Sequence, residues 1–337
     1  MLMEKLLKRK SQNKIFSIVV TFYNDKEYIE GCLQRLANQS SNVLPYMEII
    51  IVDNNSKEAE TKFLKKCIKK FKKYMDISYI FGDEFQSCGY ARNVGLEQAT
   101  GDYVYFLDCD DIVTTDAFQE FYNAYLAIKE IGVQYYPYIQ ATQYWVRQDG
   151  VFQITNTSQH FIDKSIHSKM FSKMLLDTYN IRFPVRYYHE DRVLIFEVME
   201  IIYSNKDLHI FTIEKPLYYY IERPNSILTT KNSFSKETQN LKDMLQAGND
   251  YVLFCQQWRL GLNIGNIIDI IVSVITVLSQ YQGNITILDK EILQLLISVN
   301  KYFNVSLDNI VTDVAEKNSC SKNEIKKLFY RIYERNK

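Results

Sequence analysis

Between residues 15 and 111, short β-rich apolar runs alternate with longer helical patterns, and this alternation restricts the fold more than any other feature of the chain. Residues 15–22 read as a buried strand and 26–39 as a helix. A second strand over 48–52 precedes a lysine-laden helix over 57–73, with Phe63, Leu64, Cys67, Ile68 and Phe71 on its inner side. Residues 77–81 give a third strand, 91–99 a helix and 103–107 a fourth strand. Such alternation specifies an α/β chain whose Rossmann-like, mostly parallel sheet is flanked by helices.

Ligands of an open parallel sheet gather at the carboxyl ends of its strands. The sequence turns polar at those points: Tyr23-Asn24-Asp25, then Asp53-Asn54-Asn55-Ser56, then Asp108-Cys109-Asp110-Asp111. If the strand stays extended, Asp108 and Asp110 point the same way and Asp111 the other. Two convergent carboxylates suit Mg²⁺ or Mn²⁺, whereas a solvated, turn-forming cluster would also use aspartates. Asp53 stands where an acid can accept hydrogen bonds from a bound base or ribose, or cap the next helix. His189-Glu190-Asp191 precedes an apolar run, which places the acids at a helix N-terminus favoured by the helix dipole.

Further along, residues 133–154 carry one or two strands and 208–220 another, while 165–177 and 191–203 read as helices. Beyond residue 233 the pattern is almost wholly helical. The expected division is a catalytic domain over 1–230, with a nucleotide-binding half at about 15–112 and an acceptor half at about 113–230, and a helical C-terminal domain over 231–337. The apolar stretch 264–278 is interrupted by Asn266, Asp269, Ser273 and Thr276 on one stripe, so a core helix is expected rather than a membrane span.

Forty basic and forty acidic residues cancel, so no global field points to nucleic acid. Six cysteines without a CxxC pair, and an N-terminus lacking a continuous apolar run, fit a reduced cytoplasmic protein. The lysines of 57–73 form either a solvated helix face or a peripheral contact with the inner face of the cell membrane. Among the 26 tyrosines, a minority are expected to stack on acceptor sugars and the rest to fill strands and core.

Three segments together resemble the family-2 glycosyltransferases of GT-A fold. Val19-Val20-Thr21-Phe22-Tyr23-Asn24 is similar to the family's first-strand segment, with Thr21 at the usual proline. Glu48 through Ser56 is similar to its second, with two asparagine substitutions. The longest similarity runs from Gly89 through Ala91-Arg92-Asn93, Gly95, Ala99, Gly101-Asp102-Tyr103 and Phe106-Leu107-Asp108 to Asp110-Asp111. It continues more weakly through Glu190-Asp191 and through Tyr220-Ile221-Glu222-Arg223-Pro224-Asn225-Ser226.

The resemblance implies an inverting transfer of sugar from a nucleotide diphosphate, a UDP-sugar, to a hydroxyl of a glycan or lipid-linked acceptor. It implies that Thr21, Tyr23, Asp53 and Arg92 hold the uridine, that Asp108 approaches the ribose, and that Asp110 with Asp108 binds Mn²⁺ or Mg²⁺. Arg223 or His189 would stand close to the diphosphate, His189 being a further candidate ligand. Asp191 is the expected general base and Glu190 the alternative. A nucleotidyltransferase would need a glycine-rich loop after the first strand, where the chain reads Thr21-Phe22-Tyr23-Asn24. A non-catalytic binding protein of the same fold would be expected to have lost one of Asp108, Asp110, Glu190 or Asp191, and all four are present. The sequence leaves the transferred sugar, the linkage and the oligomeric state open.

Overall fold

The computed structural model describes residues 14–82, 86–131, 136–147, 149–154, 165–186, 188–205, 207–223, 234–280 and 288–317. Pro224, Asn225 and Ser226, named above, lie outside them, as does residue 230. The chain divides into two compact units, one of residues 1–185 and 206–230, the other of 186–205 and 231–337.

In the first unit, β1 (Phe16–Phe22), β2 (Met47–Asp53), β3 (Ile77–Phe81) and β4 (Tyr103–Asp108) lie side by side in the order β3-β2-β1-β4, all parallel. The crossovers are α1 (Lys26–Ala37), α2 (Glu58–Phe71) and α3 (Cys88–Gln98). Six of the seven β1 residues are buried, as expected for a strand covered on both faces. Phe16, Ile18, Val20 and Phe22 enter one core with Ile29, Leu33 and Leu36 of α1 and Leu64, Cys67 and Phe71 of α2.

On the other face Val19 meets α3 so closely that a Cβ added at Gly95 would lie 2.2 Å from Val19 Cγ1. Gly95→Val is therefore expected to destabilise the protein by about 3 kcal/mol through overpacking. For a unit of this size that is a fall in Tm of roughly 6–12 °C, measured by calorimetry. An unchanged Tm would show that α3 is free to move off the sheet.

Beyond β4 the sheet becomes mixed. β5 (Ile112–Val113) leads into α4 (Ala117–Ile131), and β6 (Tyr138–Arg147) pairs antiparallel with β7 (Gly150–Ile154). β8 (Lys169–Ser172) inserts antiparallel between β4 and β6, and β9 (Phe211–Ile221) runs parallel to β6 and antiparallel to β5. The expected helix over 165–177 is thus a strand followed by the short α5 (Lys173–Thr178), capped by Ser172 Oγ on Leu175 N–H. All four β8 residues are buried between neighbouring strands, and that pairing overrides a periodicity too short to decide.

The second unit contains α6 (Glu190–Ser204), α7 (Phe234–Trp258), α8 (Ile264–Gln280), α9 (Asp289–Phe303) and α10 (Leu307–Lys317). Ile267, Ile268, Ile270, Ile271 and Val274 of α8 are buried, so its apolar stripe serves a core. Among the described residues no helix is long and apolar enough to cross a membrane.

Candidate active site

Strand register places the polar residues at one edge of the first unit. Thr21 stands beside Asp108 across β1 and β4, and Phe22 beside Asp53 across β1 and β2. Asp53 is fully buried. Its Oδ1 accepts from Ser56 N–H at 2.9 Å, and its Oδ2 accepts from the Thr61 hydroxyl at 2.7 Å and the Tyr79 hydroxyl at 3.3 Å. Those bonds hold the turn into α2. Asn54 ties the same turn to the start of α3, its amide nitrogen donating to Gln86 O at 2.7 Å and its oxygen accepting from Gln86 N–H at 3.2 Å. Asp53→Ala removes the acceptor of the buried Ser56 N–H and Thr61 hydroxyl and of the part-buried Tyr79 hydroxyl, and is expected to cost about 1–3 kcal/mol. Calorimetry beside UDP titration of the folded variant separates this capping role from donor contact, which would lower UDP affinity as well.

Asp108 closes β4 under four contacts. Thr21 Oγ1 donates to its Oδ1 at 3.2 Å, Arg92 Nη2 reaches both oxygens at 3.1 and 3.2 Å, and His167 Nε2 lies 3.3 Å from Oδ2. Burial would raise the Asp108 carboxyl, but Arg92 and His167 outweigh it and hold it far below the ordinary carboxylate range. Arg92 is itself buried, its guanidinium 5.5 Å from the Phe183 ring centroid. Tyr23 is 44% exposed at the end of β1.

After Asp108 the strand does not continue. Asp111 N–H donates to Asp108 O at 3.1 Å, closing a turn that swings residues three apart together. Asp108, Asp111 and His167 consequently offer ligand atoms all within 4.8 Å of one another. Asp110 faces Arg223 instead, with Nη2 to Oδ2 at 2.5 Å, while Arg223 Nη1 donates to Asp25 Oδ1 at 3.2 Å and its guanidinium lies over the Tyr28 ring. Asp111 is buried, accepting from the Tyr218 hydroxyl and from Ile221 N–H at 2.8 Å, so β9 is fastened to the turn after β4.

Burial raises the Asp110 carboxyl, and the charges of Asp111 and Asp108 raise it further, against Arg223. Asp111 is raised by burial and by Asp108. Four carboxyl groups, those of Asp25, Asp108, Asp110 and Asp111, stand against two guanidiniums and one imidazole, a crowding of acids that a bound cation would relieve. That crowding, with two carboxylates and an imidazole in reach of one point, fits a divalent cation such as Mn²⁺ or Mg²⁺.

The sequence profile of glycosyl transferase family 2 matches residues 17–189, more than half of the chain. The chain belongs to glycosyl transferase family 2. The teichoic acid poly(glycerol phosphate) polymerase of Staphylococcus epidermidis is 37% identical over 99 residues, 29% of this glycosyltransferase and 13% of that protein. The poly(ribitol-phosphate) beta-N-acetylglucosaminyltransferase TarP of Staphylococcus aureus is 25% identical over 240 residues, 67% of this chain and 68% of TarP. The first curated relatives are matched over only 13% to 41% of their own length. The crystal structure of S. aureus TarS residues 1–349 with UDP-GlcNAc superposes with a TM-score of 0.65 at 18% identity, covering 95% of this chain and 89% of that one. That likeness confirms the GT-A fold.

In the second unit of this glycosyltransferase, Glu190 and Asp191 open α6. His189 precedes them in a left-handed conformation, φ 61°, its Nε2 2.6 Å from Asn240 Oδ1. Burial, assisted by the Arg192 charge, pushes His189 down to about 4, so it is neutral near pH 7. Glu190 is buried, and Asp191 is half-buried with Oδ1 accepting from Arg192 N–H at 2.8 Å.

Sequence reasoning missed His167 and the inward role of Asp111. The His167 ring stacks on Tyr218 at 5.1 Å with 17° between planes, and lies 5.5 Å from Tyr220. Tyr218 and Tyr138 are fully buried and Tyr136 nearly so, serving the core, while Tyr144 packs on Tyr219. The fully buried Lys169 holds the loop before β8, its Nζ donating to Ser165 O at 2.8 Å. No motif marks His167 or Lys169.

Proposed function

We propose that this glycosyltransferase moves a sugar, with inversion, from a UDP-sugar to a hydroxyl of a glycan or lipid-linked saccharide. The observation that carries the reading is the meeting of Thr21, Arg92, Asp108 and the Asp110–Arg223 pair at the carboxyl edge of β1 and β4, where open sheets of this type bind ligands. Relatives that are named poly(ribitol-phosphate) glycosyltransferases, and the UDP-GlcNAc bound by TarS, support the acceptor class and the donor.

In this reading Thr21, Tyr23, Asp53 and Arg92 line the uridine side, and Asp108 receives the ribose. Asp110 and Asp108 would hold Mn²⁺ or Mg²⁺, which supplies Lewis-acid stabilisation of the charge on the leaving diphosphate. Arg223 adds a fixed positive charge for the same oxygens. Asp191, at the N-terminus of α6, takes the proton of the acceptor hydroxyl as that oxygen bonds to the anomeric carbon. The bond from carbon to diphosphate breaks on the opposite face, and the electron pair leaves with UDP.

The reading is tested by screening UDP-sugars for Mn²⁺-dependent release of UDP in the presence of saccharide acceptors, with Asp110→Ala alongside. UDP release by the wild type alone supports it. No metal-dependent release with any UDP-sugar and acceptor rejects it.

A further inference from the structure

The loop before β8 is anchored as if to fix one side chain. Ser168 adopts a left-handed conformation, φ 58°, with its hydroxyl donating to Thr142 O at 3.2 Å. The Lys169 ammonium, fully buried, spans the carbonyls of Ser165 at 2.8 Å and His167 at 3.4 Å. Stacking on Tyr218 then sets the ring plane, and Nε2 is aimed at Asp108. A buried lysine and a left-handed serine are costly features, and together they govern where a single imidazole sits.

We propose that His167 is a direct nitrogen ligand of the divalent cation, alongside Asp108 and Asp111, and that it makes the site select Mn²⁺ over Mg²⁺. The inference rests on the metal-dependent reading above and adds a ligand that the aspartate motif does not contain. Cis ligands on an octahedral ion with bonds of about 2.1 Å stand about 3 Å apart. The Asp108 Oδ2 to His167 Nε2 separation is 3.3 Å, and Asp111 completes a set within 4.8 Å.

Asp108 takes contacts from Thr21, from Arg92 on both oxygens and from His167, and only the last gives way when the ring and the carboxylate share an ion. Asp111 accepts two hydrogen bonds, from the Tyr218 hydroxyl and Ile221 N–H, and these aim its carboxylate while leaving capacity for an ion. On binding the ion His167 releases the Nε2 proton that faces Asp108 to solvent and coordinates through the Nε2 lone pair, keeping the other ring proton on Nδ1. Imidazole nitrogen suits transition metals, whereas Mg²⁺ favours an all-oxygen shell with several waters. Substituting the imidazole by a group without a nitrogen donor therefore penalises Mn²⁺ selectively.

The test is pulsed electron paramagnetic resonance of Mn²⁺ bound to the full chain, with and without UDP, and calorimetric titration of Mn²⁺ and Mg²⁺. His167→Phe keeps a ring against Tyr218 while removing the nitrogen, and its folding is checked by Tm. The wild type is expected to show ¹⁴N coupling from a bound imidazole, absent in His167→Phe. Mn²⁺ affinity is expected to fall by at least about tenfold in the variant, with Mg²⁺ affinity changed by less than about twofold.

Bound Mn²⁺ without ¹⁴N coupling, equal losses for both ions, or no Mn²⁺ binding in the wild type overturns the inference. So does ¹⁴N coupling that survives in His167→Phe, which assigns the nitrogen elsewhere. Mn²⁺-dependent UDP release without ¹⁴N coupling rejects the His167 ligand and leaves the proposed function standing. Coupling lost in His167→Phe, but with no UDP release from any UDP-sugar, does the reverse.

Discussion

Asp110→Asn is expected to lower turnover by about 10³-fold and to diminish the rise in Tm that Mn²⁺ gives the wild type. Stabilising charge on the departing diphosphate is worth several kcal/mol, and about 4 kcal/mol corresponds to three decades in rate. The substitution is close to isosteric and removes one of several crowded carboxylates, so the fold should persist. Its cost is the loss of the Arg223 partner, which keeps Asp25 at 3.2 Å and the Tyr28 ring beneath its guanidinium. Thermal melts with and without Mn²⁺ read the metal separately from the chemistry, because a ligand that binds only the folded state raises Tm by mass action. A variant that retained both turnover and the Mn²⁺ shift would remove Asp110 from the metal site. One that lost turnover yet kept the shift would confine its role to the leaving group.

The parallel half of the sheet was legible because β1, β2 and β4 are largely apolar runs buried along their length, and α1 and α2 show their inner stripes. Bounds moved by a few residues where capping decides: α3 begins at Cys88 because the Ser87 hydroxyl accepts from Tyr90 N–H at 3.3 Å. β8 was misread because its four residues take their conformation from β4 and β6, far away in sequence, and local periodicity carries no trace of that pairing. The placement of Asp53 and Asp108 at strand ends was legible, whereas Thr21 was singled out only through the family resemblance. The geometry of the aspartates was less legible, since the assumption of an extended strand fails at Asp108, and the turn exchanges Asp110 for Asp111 beside it. His167 left no signal, standing 59 residues from the carboxylate it touches and in no motif. Arg223, 198 residues from Asp25, was reached only through the family resemblance.

Asp191→Asn is expected to lower kcat by about 10² to 10⁴-fold while leaving UDP affinity within about twofold of the wild type, the usual reach of general-base assistance. The choice of Asp191 over Glu190 rests on what each carboxylate can still accept. Glu190 is buried in the first turn of α6, whereas Asp191 is half-buried and uses only Oδ1, on the N–H of Arg192. Its Oδ2 takes no hydrogen bond from the described residues, leaving an oxygen for a hydroxyl proton. The asparagine variant keeps size and hydrogen bonding while losing the carboxylate. Glu190→Gln is expected to act through α6 instead, lowering Tm together with activity. Rapid-quench measurement of a single turnover, beside UDP titration and melting curves for both variants, separates the two roles. Should Glu190→Gln lose the chemical step with Tm unchanged, and Asp191→Asn keep full turnover, the base would be Glu190. Both variants losing Tm but not the chemical step would move the proton acceptor off α6 altogether.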